Sequence, residues 1–494
     1  MCRDHTALCE NGRTAWCGVR KDMSKYFKKY IGDKAFYTMV LGVVMPIMIQ
    51  NGITNFVSLL DNIMVGRVGT EQMSGVAIVN QLFFVFNLGI FGVLSGAGIF
   101  GAQFYGCGRH DGVRHTFRFK LISVSLVTLF SCLLFYFAGD ALINLYLHEE
   151  AGTDPAALVA ALYYGKNYLL VMLLGIPPFA LCQCYTSTLR ECGETVLPMK
   201  ASMVAVTVNM CLNGLLIFGL LGFPRLGVVG AAIATVIARY TEMIIVLIYT
   251  HRHADRYPFI KEAYRSFYIP GSLISKILIK GTPLMLNELM WAMGMAVMSQ
   301  CYSMRGLDVV AGMNISSTIS NLFGIVYLSM GSAVAIIIGQ LLGAGKMEEA
   351  KDTDTKLIAF SVMICLGVGV VLMLLAPLFP MIYNTSDKVR ELATGFIRIV
   401  AIYLPVNAFL NTCYFTIRAG GRTIITFLFD SVFVWVVSIP CAYILSRYTN
   451  LPITPLYFYC LLPDLLKCLI GFIMVKKGIW ISNLVENEEN LLTR

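Results

Sequence analysis

The chain has 494 residues, of which 57% are hydrophobic and 14% are charged, and its formal net charge is +9. A soluble domain usually has about 25% charged residues, so the composition excludes an ordinary soluble protein and indicates a polytopic membrane protein. The positive charge does not require nucleic acid as a partner, because basic residues beside membrane spans face anionic lipid.

The chain begins with a polar segment, residues 1–35, that lacks the apolar core of a cleavable signal peptide. Cys2, Cys9 and Cys17 lie in this segment, but their spacings match no zinc-binding pattern, so we expect no metal site there. The first membrane span is then expected to act as the insertion signal.

Twelve apolar runs follow, each close to the length of about 20 residues that a helix needs to cross the hydrocarbon of a bilayer. Long runs without the alternation of a strand predict helices, which pair their backbone groups internally. The approximate spans are 36–60, 75–101, 118–139, 162–189, 197–220, 228–250, 277–302, 311–341, 357–382, 394–417, 423–446 and 455–475. The predicted fold class is an all-α integral membrane protein.

Most lysines and arginines lie in loops on the side of the membrane that would hold both termini. We therefore expect a multi-pass protein of the plasma membrane with both termini in the cytoplasm. The predicted organisation is an N-terminal tail (1–35), an N-lobe (36–250), a cytoplasmic linker (251–276), a C-lobe (277–475) and a C-terminal tail (476–494).

The two halves of the chain repeat each other. A shift of 237 residues aligns Leu41 with Leu278, Pro46 with Pro283, Gly69 with Gly306, Gln103 with Gln340, and Gly108 with Gly345. A shift of 228 residues aligns Pro177 with Pro405, Thr188 with Thr416, Arg190 with Arg418, and Gly193 with Gly421. Six crossings per half give two lobes of the same orientation, a parallel repeat that is typical of transporters with a central cavity.

Prolines and glycines lie where helices could bend or end. Pro46, Pro177, Pro283 and Pro405 fall inside predicted spans, where each weakens the hydrogen-bond ladder and allows a moving or a static kink. The repeated glycine pairs after the second and eighth spans predict tight turns. Neither sequence completes a Walker motif, so ATP is not implied.

Four motifs carry a resemblance to a known family. They are "PIMIQNGITNFVSLLDNIMVGRVG", "GAQFYGCGRHDGVRHT", "TLRECGETVLPM" and "NMCLNGLLIFGLLGFPRLGVVGAAIATV". Their order, spacing and duplication resemble the multidrug and toxic compound extrusion (MATE) family over residues 36–475. The resemblance implies a V-shaped, twelve-helix antiporter that expels amphiphilic, often cationic compounds in exchange for Na⁺ or H⁺.

Asp61 is the main candidate for the coupling residue. A carboxylate within a membrane helix costs at least about 2.5 kcal/mol on insertion scales, so such groups usually serve a pathway. MATE proteins carry an aspartate 15 residues after the helix-one proline, and the spacing from Pro46 to Asp61 is the same. Asp61 could bind H⁺ or Na⁺ with Asn51, Asn55 and Ser58 on nearby helix faces. The alternative is a solvated, uninvolved carboxylate at the outer end of the span.

Glu288, in "GTPLMLNELMWAMG", is the second intramembrane acid, predicted to bind a cation or substrate, with a structurally paired glutamate as the alternative. Several MATE branches have a seventh-helix glutamate about one turn further along, where Trp291 stands here. Glu288 is thus a displaced equivalent or a different feature. Because the 237-residue shift aligns it with Asn51, we expect the two to face each other across the lobe interface.

Two further family sites are neutral in this chain. The pair that resembles the helix-ten site of one branch is Tyr403 and Asn407, and the pair that resembles the helix-five site of another is Asn209 and Asn213. Asn209 and Asn213 lie one turn apart on one face, so they could hydrogen-bond Asp61 or a ligand, or join helices.

The substrate cavity is less clearly marked. Adaptable aromatic and methionine side chains would suit amphiphilic cations. The candidates, chosen by proximity to the motifs, are Gln50, Asn51, Asn55, Met285, Trp291, Tyr403 and Asn407.

Ion-coupled efflux is therefore the predicted function. We expect a monomer that uses small amphiphilic substrates, lies in the lipid bilayer and needs no cofactor beyond H⁺ or Na⁺. A lipid-linked oligosaccharide flippase of the same superfamily is the alternative, and it should show more basic residues in the cavity than Arg239 and Lys467. An enzyme is not expected, because the six histidines lie in the tail, loops and helix ends.

Overall fold

A computed structural model of the chain describes residues 29–147, 155–383 and 385–486. Eleven helices in these residues are long and apolar enough to cross a membrane. The other predicted span, Gly271–Ser303, has 33 residues and contains Lys276, Lys280 and Glu288. The tail cysteines Cys2, Cys9 and Cys17 lie outside the described residues.

Twelve spans in two lobes of six confirm the predicted fold class. Spans 1 to 6 are Lys34–Gly66, Thr70–Gly106, His110–Tyr146, the helix pair Pro155–Leu173 and Ile176–Glu191, Val196–Phe218, and Val228–Arg252. Spans 7 to 12 are Gly271–Ser303, Leu307–Gly343, Met347–Leu375, Asp387–Ala419, Thr423–Tyr448 and Ile453–Lys476.

Three of the four prolines singled out lie inside continuous helices, namely Pro46, Pro283 and Pro405. At Pro177 the predicted kink is instead a break, because the first helix of span 4 ends at Leu173 and its second helix begins at Ile176. Pro177 occupies the first turn of that new helix, where its missing N–H is not needed.

Span 11 departs further from the regular helix that its hydropathy predicts. It contains two π-helical segments, Leu428–Val432 and Val434–Ser438. The backbone N–H of Ser431 bonds to the side-chain oxygen of Asn287 at 3.3 Å, which gives this irregular backbone a partner from span 7. Such π segments are often found at functional sites.

The lobes meet at the end of the bundle that holds the segment between spans 6 and 7, which we call the linker face. Span 2 ends at Gly106 and span 8 at Gly343, and a Cβ at either position would overlap the carbonyl of Gln340 or Gln103 across the junction. Gln103 donates to the carbonyl of Ala419 at 3.0 Å, and Gln340 donates to that of Glu191 at 2.8 Å. The junction therefore keeps the symmetry of the sequence repeat.

The predicted tight turns are confirmed at this junction. Gly108 and Gly345 both have φ of 74°, a left-handed conformation that glycine adopts without strain. Each turn lets the chain re-enter the membrane within a few residues.

The segment between spans 6 and 7 is fastened to the N-lobe. Arg118 donates to the carbonyls of Glu262, Ala263 and Tyr268 at 2.7 to 3.1 Å. Tyr257 donates to Glu194 at 3.0 Å, and burial together with that carboxylate raises the pKa of the phenol. This part of the linker therefore moves with the N-lobe.

The described part of the C-terminal tail crosses from one lobe to the other. Trp480 is buried in the C-lobe core, whereas Val485 is buried in the N-lobe core. Between them, the N–H of Leu484 donates to Gln103 at 2.8 Å, and Arg109 donates to the carbonyl of Val485 at 3.1 Å. The tail thus ties the two lobes together on the linker face.

Truncating Trp480 tests how far this segment stabilises the fold. Trp480 is 1% exposed, so Trp480→Ala should destabilise the protein by about 3 kcal/mol or more through lost burial and a cavity. Thermal unfolding in detergent should show a clear drop in midpoint. Trp291→Ala is the matched control, because Trp291 is 39% exposed, and equal drops for the two variants would contradict the packing described.

Candidate functional site

Asp61 lies half-buried near the end of span 1 that is remote from the linker face. Asn213, on span 5, donates its amide to the Asp61 carboxylate at 2.5 Å. The same amide reaches Asn209 at 3.1 Å, and Asn209 donates to Thr235 of span 6 at 3.3 Å. The structure therefore joins Asp61 to the two asparagines by a chain of hydrogen bonds across three spans.

This chain of polar groups is incomplete. Asn213 is 1% exposed, yet its side-chain oxygen has no hydrogen-bond partner among the described residues. A carboxylate and a free amide oxygen on one wall form an oxygen-rich site, which suits a hard cation or a proton shared between the two groups.

The other proposed partners of Asp61 lie elsewhere. Asn51 donates to Ser329 of span 8 at 3.3 Å, so it contacts the opposite lobe rather than Asp61. Asn55 is exposed, and Ser58 donates back to the carbonyl of Thr54 at 3.0 Å. The hydrogen bond to the Asp61 carboxylate comes instead from Asn213 of span 5.

Glu288 belongs to a polar network inside the C-lobe. The expectation that it faces Asn51 across the lobe interface stays a prediction. Tyr414 donates to Glu288 at 3.2 Å, and Asn287 donates to Asp430 of the π-helical segment at 3.1 Å. Lys467 of span 12 completes the network through an ion pair of 2.8 Å with Asp430.

A cavity of about 160 Å³ lies between the lobes on the linker side of the bundle. Spans 2, 4, 8 and 10 form its walls, and the repeat places equivalent residues on opposite sides. Ser95 and Ser332 form one such equivalent pair in the lining, and Arg190 and Arg418 form another. Glu191 also contributes to the lining.

None of the candidates chosen from the sequence is among the described residues that line this cavity. Gln50 accepts a hydrogen bond of 2.6 Å from Arg190, so it contacts a residue that lines the cavity. Met285 and Trp291 are exposed on span 7, and Asn407 is half-buried on span 10. Tyr403 is buried and donates to the carbonyl of Leu461 within the C-lobe, so it does not line the cavity.

Sequence reasoning missed a buried ion pair next to the cavity. Lys120 of span 3 is fully buried, and its ammonium lies 2.5 and 2.6 Å from the two oxygens of Glu191. Both residues lie near the ends of predicted spans, where a charged side chain is expected to be exposed to solvent. The expected in-span cations, Arg239 and Lys467, lie instead within single lobes, Arg239 against the rings of Phe83 and Phe179.

Comparisons with known proteins agree with this architecture. The family model described as MatE matches residues 46–215 and 283–444. The chain is 22% identical over 454 residues to a protein of Thermotoga maritima named "Probable multidrug resistance protein NorM", which covers 92% of this chain and 95% of that protein. It is 24% identical over 404 residues to "Multidrug resistance protein MdtK" of Pectobacterium atrosepticum, covering 82% and 86%.

Solved structures show the same fold. One described as the outward-facing conformation of a multidrug resistance MATE family transporter of the MOP superfamily has a TM-score of 0.79 and 20% identity, covering 92% of this chain and 97% of that one. A MATE structure in complex with MaL6 has a TM-score of 0.80 and 20% identity, covering 92% and 98%.

The Lys120–Glu191 pair can be tested by removing one partner and then both. Lys120→Met should destabilise the protein by about 3 kcal/mol or more, because it leaves Glu191 buried without its counter-ion. Lys120→Met combined with Glu191→Gln should recover most of that loss. Thermal unfolding of the three proteins is the measurement, and a double variant as unstable as the single one would contradict the pairing.

Proposed function

Because this chain belongs to the MatE family of multidrug and toxic compound extrusion proteins, we propose that it expels amphiphilic, often cationic compounds across the plasma membrane in antiport with H⁺ or Na⁺. The names of the relatives from Thermotoga maritima and Pectobacterium atrosepticum support multidrug efflux. Support for ion coupling comes from one observation, the hydrogen-bonded chain from Asp61 through Asn213 to Asn209.

The proposed coupling step is a change of charge on Asp61. An ionised Asp61 accepts from the amide of Asn213, as observed. A protonated Asp61 could instead donate to the Asn213 oxygen that now lacks a partner, whereas Na⁺ would bind both oxygens. Either event alters the contact between spans 1 and 5. Pro46 interrupts the backbone hydrogen bonds of span 1, so this helix can bend in response.

Alternating access would use the junction on the linker face as one gate. Asn51 meets Ser329, and Val44 packs into the C-lobe core, so the span-1 contacts between the lobes lie towards this face. Rocking the lobes would break the contacts of Gln103 and Gln340 and open this end. With both termini in the cytoplasm, the linker face would be the cytoplasmic side. The protein would act as a monomer with small-molecule substrates and no cofactor besides the coupling ion.

A lipid-linked oligosaccharide flippase is the second candidate. It is favoured by one observation, the presence of Arg190 and Arg418 in the wall of the cavity between the lobes. The multidrug names of the relatives favour the first candidate.

Replacing Asp61 tests the coupling proposal. Asp61→Asn should abolish gradient-driven efflux while the protein stays folded, because an amide cannot exchange a proton or carry the charge that holds Na⁺. Purified protein in liposomes would be given a H⁺ or a Na⁺ gradient separately, with ethidium as the transported dye. The matched control is Asp140→Asn, because Asp140 is an exposed N-lobe carboxylate paired with Lys166. Wild-type rates in Asp61→Asn would rule out the mechanism.

Replacing Glu288 tests the role of the C-lobe network. Glu288→Gln should lower the rate of ethidium efflux several-fold without abolishing it, because the amide can still accept the hydrogen bond from Tyr414. Initial rates under the gradient that drives the wild type provide the measurement. Glu349→Gln is the control, since Glu349 is an exposed carboxylate paired with Lys346 outside the network. An unchanged rate would make Glu288 a structural residue only.

A further inference from the structure

We infer that the cavity between the lobes binds an anionic group, a carboxylate or a phosphate, through Arg190 and Arg418. This group would be the charged end of an amphiphilic substrate, and that assignment of cargo rests on the proposed function. Binding itself is a separate property that can be measured without transport. Among the amphiphilic compounds of the proposed function, the cavity would thus bind more tightly those that carry an anionic group.

Arg418 packs against two aromatic rings and has no counter-ion within 4.0 Å among the described residues. Its side chain is 7% exposed, and its guanidinium lies 5.4 Å from the ring centre of Phe91 and 5.2 Å from that of Phe415. Its Nη1 atom is buried without a hydrogen-bond partner among the described residues. A buried cation in this state is costly unless a ligand supplies the missing negative charge.

Arg190 presents a second guanidinium to the same space. Its Nη2 donates to Gln50 at 2.6 Å, and its Nε atom has no partner in the described part of the chain. Arg190 and Arg418 are equivalent in the sequence repeat, so the two lobes bring matching donors to one cavity. Planar donor pairs of this kind suit the geometry of a carboxylate or a phosphate.

The acids nearby do not neutralise these arginines by contact. Glu191 lines the cavity, but Lys120 binds both of its oxygens and Ser187 donates to it at 2.8 Å. Neither Arg190 nor Arg418 forms an ion pair within 4.0 Å with a carboxylate of the described residues. Glu242 acts on Arg190, and Glu191 and Glu288 act on Arg418, only through longer-range attraction.

The cavity is large enough for a charged group. Its volume of about 160 Å³ is sufficient for a carboxylate or a phosphate. Ser95 lines the wall with a hydroxyl that has no partner among the described residues, so one further donor is available. The Ser332 hydroxyl lies on the opposite wall and donates to the carbonyl of Leu328 at 3.1 Å. The apolar body of the ligand would remain outside this cavity, elsewhere along the interface between the two lobes.

Equilibrium binding of two matched dyes tests the inference. Rhodamine 110 has a free carboxylate, and rhodamine 123 is its methyl ester, so the dyes share one ring system and differ at the proposed contact. Fluorescence anisotropy would follow their binding to purified protein in phosphatidylcholine nanodiscs. The wild type should bind rhodamine 110 about tenfold more tightly, as expected for one charge-assisted contact.

Two arginine variants and a control connect this preference to the cavity. Arg418→Gln and Arg190→Gln should each reduce the preference for rhodamine 110 to less than about twofold, with little effect on rhodamine 123. Arg447→Gln should leave it unchanged, because Arg447 also stacks on a ring, that of Tyr443, but is exposed and does not line the cavity. Size-exclusion profiles would confirm that each variant is folded.

The outcomes separate the inference from the proposed function. No preference in the wild type, or a preference retained in both folded arginine variants, overturns the anion site. A preference lost in the arginine variants supports it, even if neither dye moves under an ion gradient, a result that would overturn the efflux proposal instead. Weaker rhodamine 110 binding in nanodiscs with phosphatidylglycerol would support the site and identify a lipid headgroup as a competing occupant.

Discussion

Hydrocarbon offers no hydrogen-bond partner, so every polar group within the membrane must be satisfied by the protein itself. This constraint produces the helical fold, and it also sorts the intramembrane charges into two classes. Lys120 with Glu191, and Lys467 with Asp430, are paired by direct contact. Asp61 has only an amide as its described partner, and Arg418 has only aromatic rings. At the residues of the second class, a bound ion or ligand could supply the missing opposite charge.

The sequence repeat gives the molecule its symmetry, and the connecting segments break it. Gln103 and Gln340 make equivalent contacts across the linker face. By contrast, the segment between spans 6 and 7 is held by Arg118 on the N-lobe, whereas the C-terminal tail reaches across both lobes. Opening this face would therefore have to release the tail as well as the symmetric contacts, so the tail contributes to the stability of the closed junction.

Hydropathy and repeat detection were sufficient to predict the spans, the two lobes and the glycine turns, because these features depend on local composition and period. The pairing of Asp61 with Asn213 agrees with the shared face of Asn209 and Asn213, although its role remains a prediction. The π-helical segments of span 11 and the Lys120–Glu191 pair could not be predicted in this way. They depend on which spans pack together and which side chains come into contact there, and hydropathy carries no information about either.

The central claim is that the charge on Asp61 controls which end of the lobe junction is open. The most direct measurement is the distance between spin labels at Asp111 and Glu348, exposed and repeat-equivalent positions on the linker face of each lobe. Labels on unnatural amino acids would leave the native cysteines untouched. The account predicts two distances whose populations shift with pH or Na⁺ in the wild type and no longer shift in Asp61→Asn. A single distance that is unchanged in the wild type under every condition would contradict it.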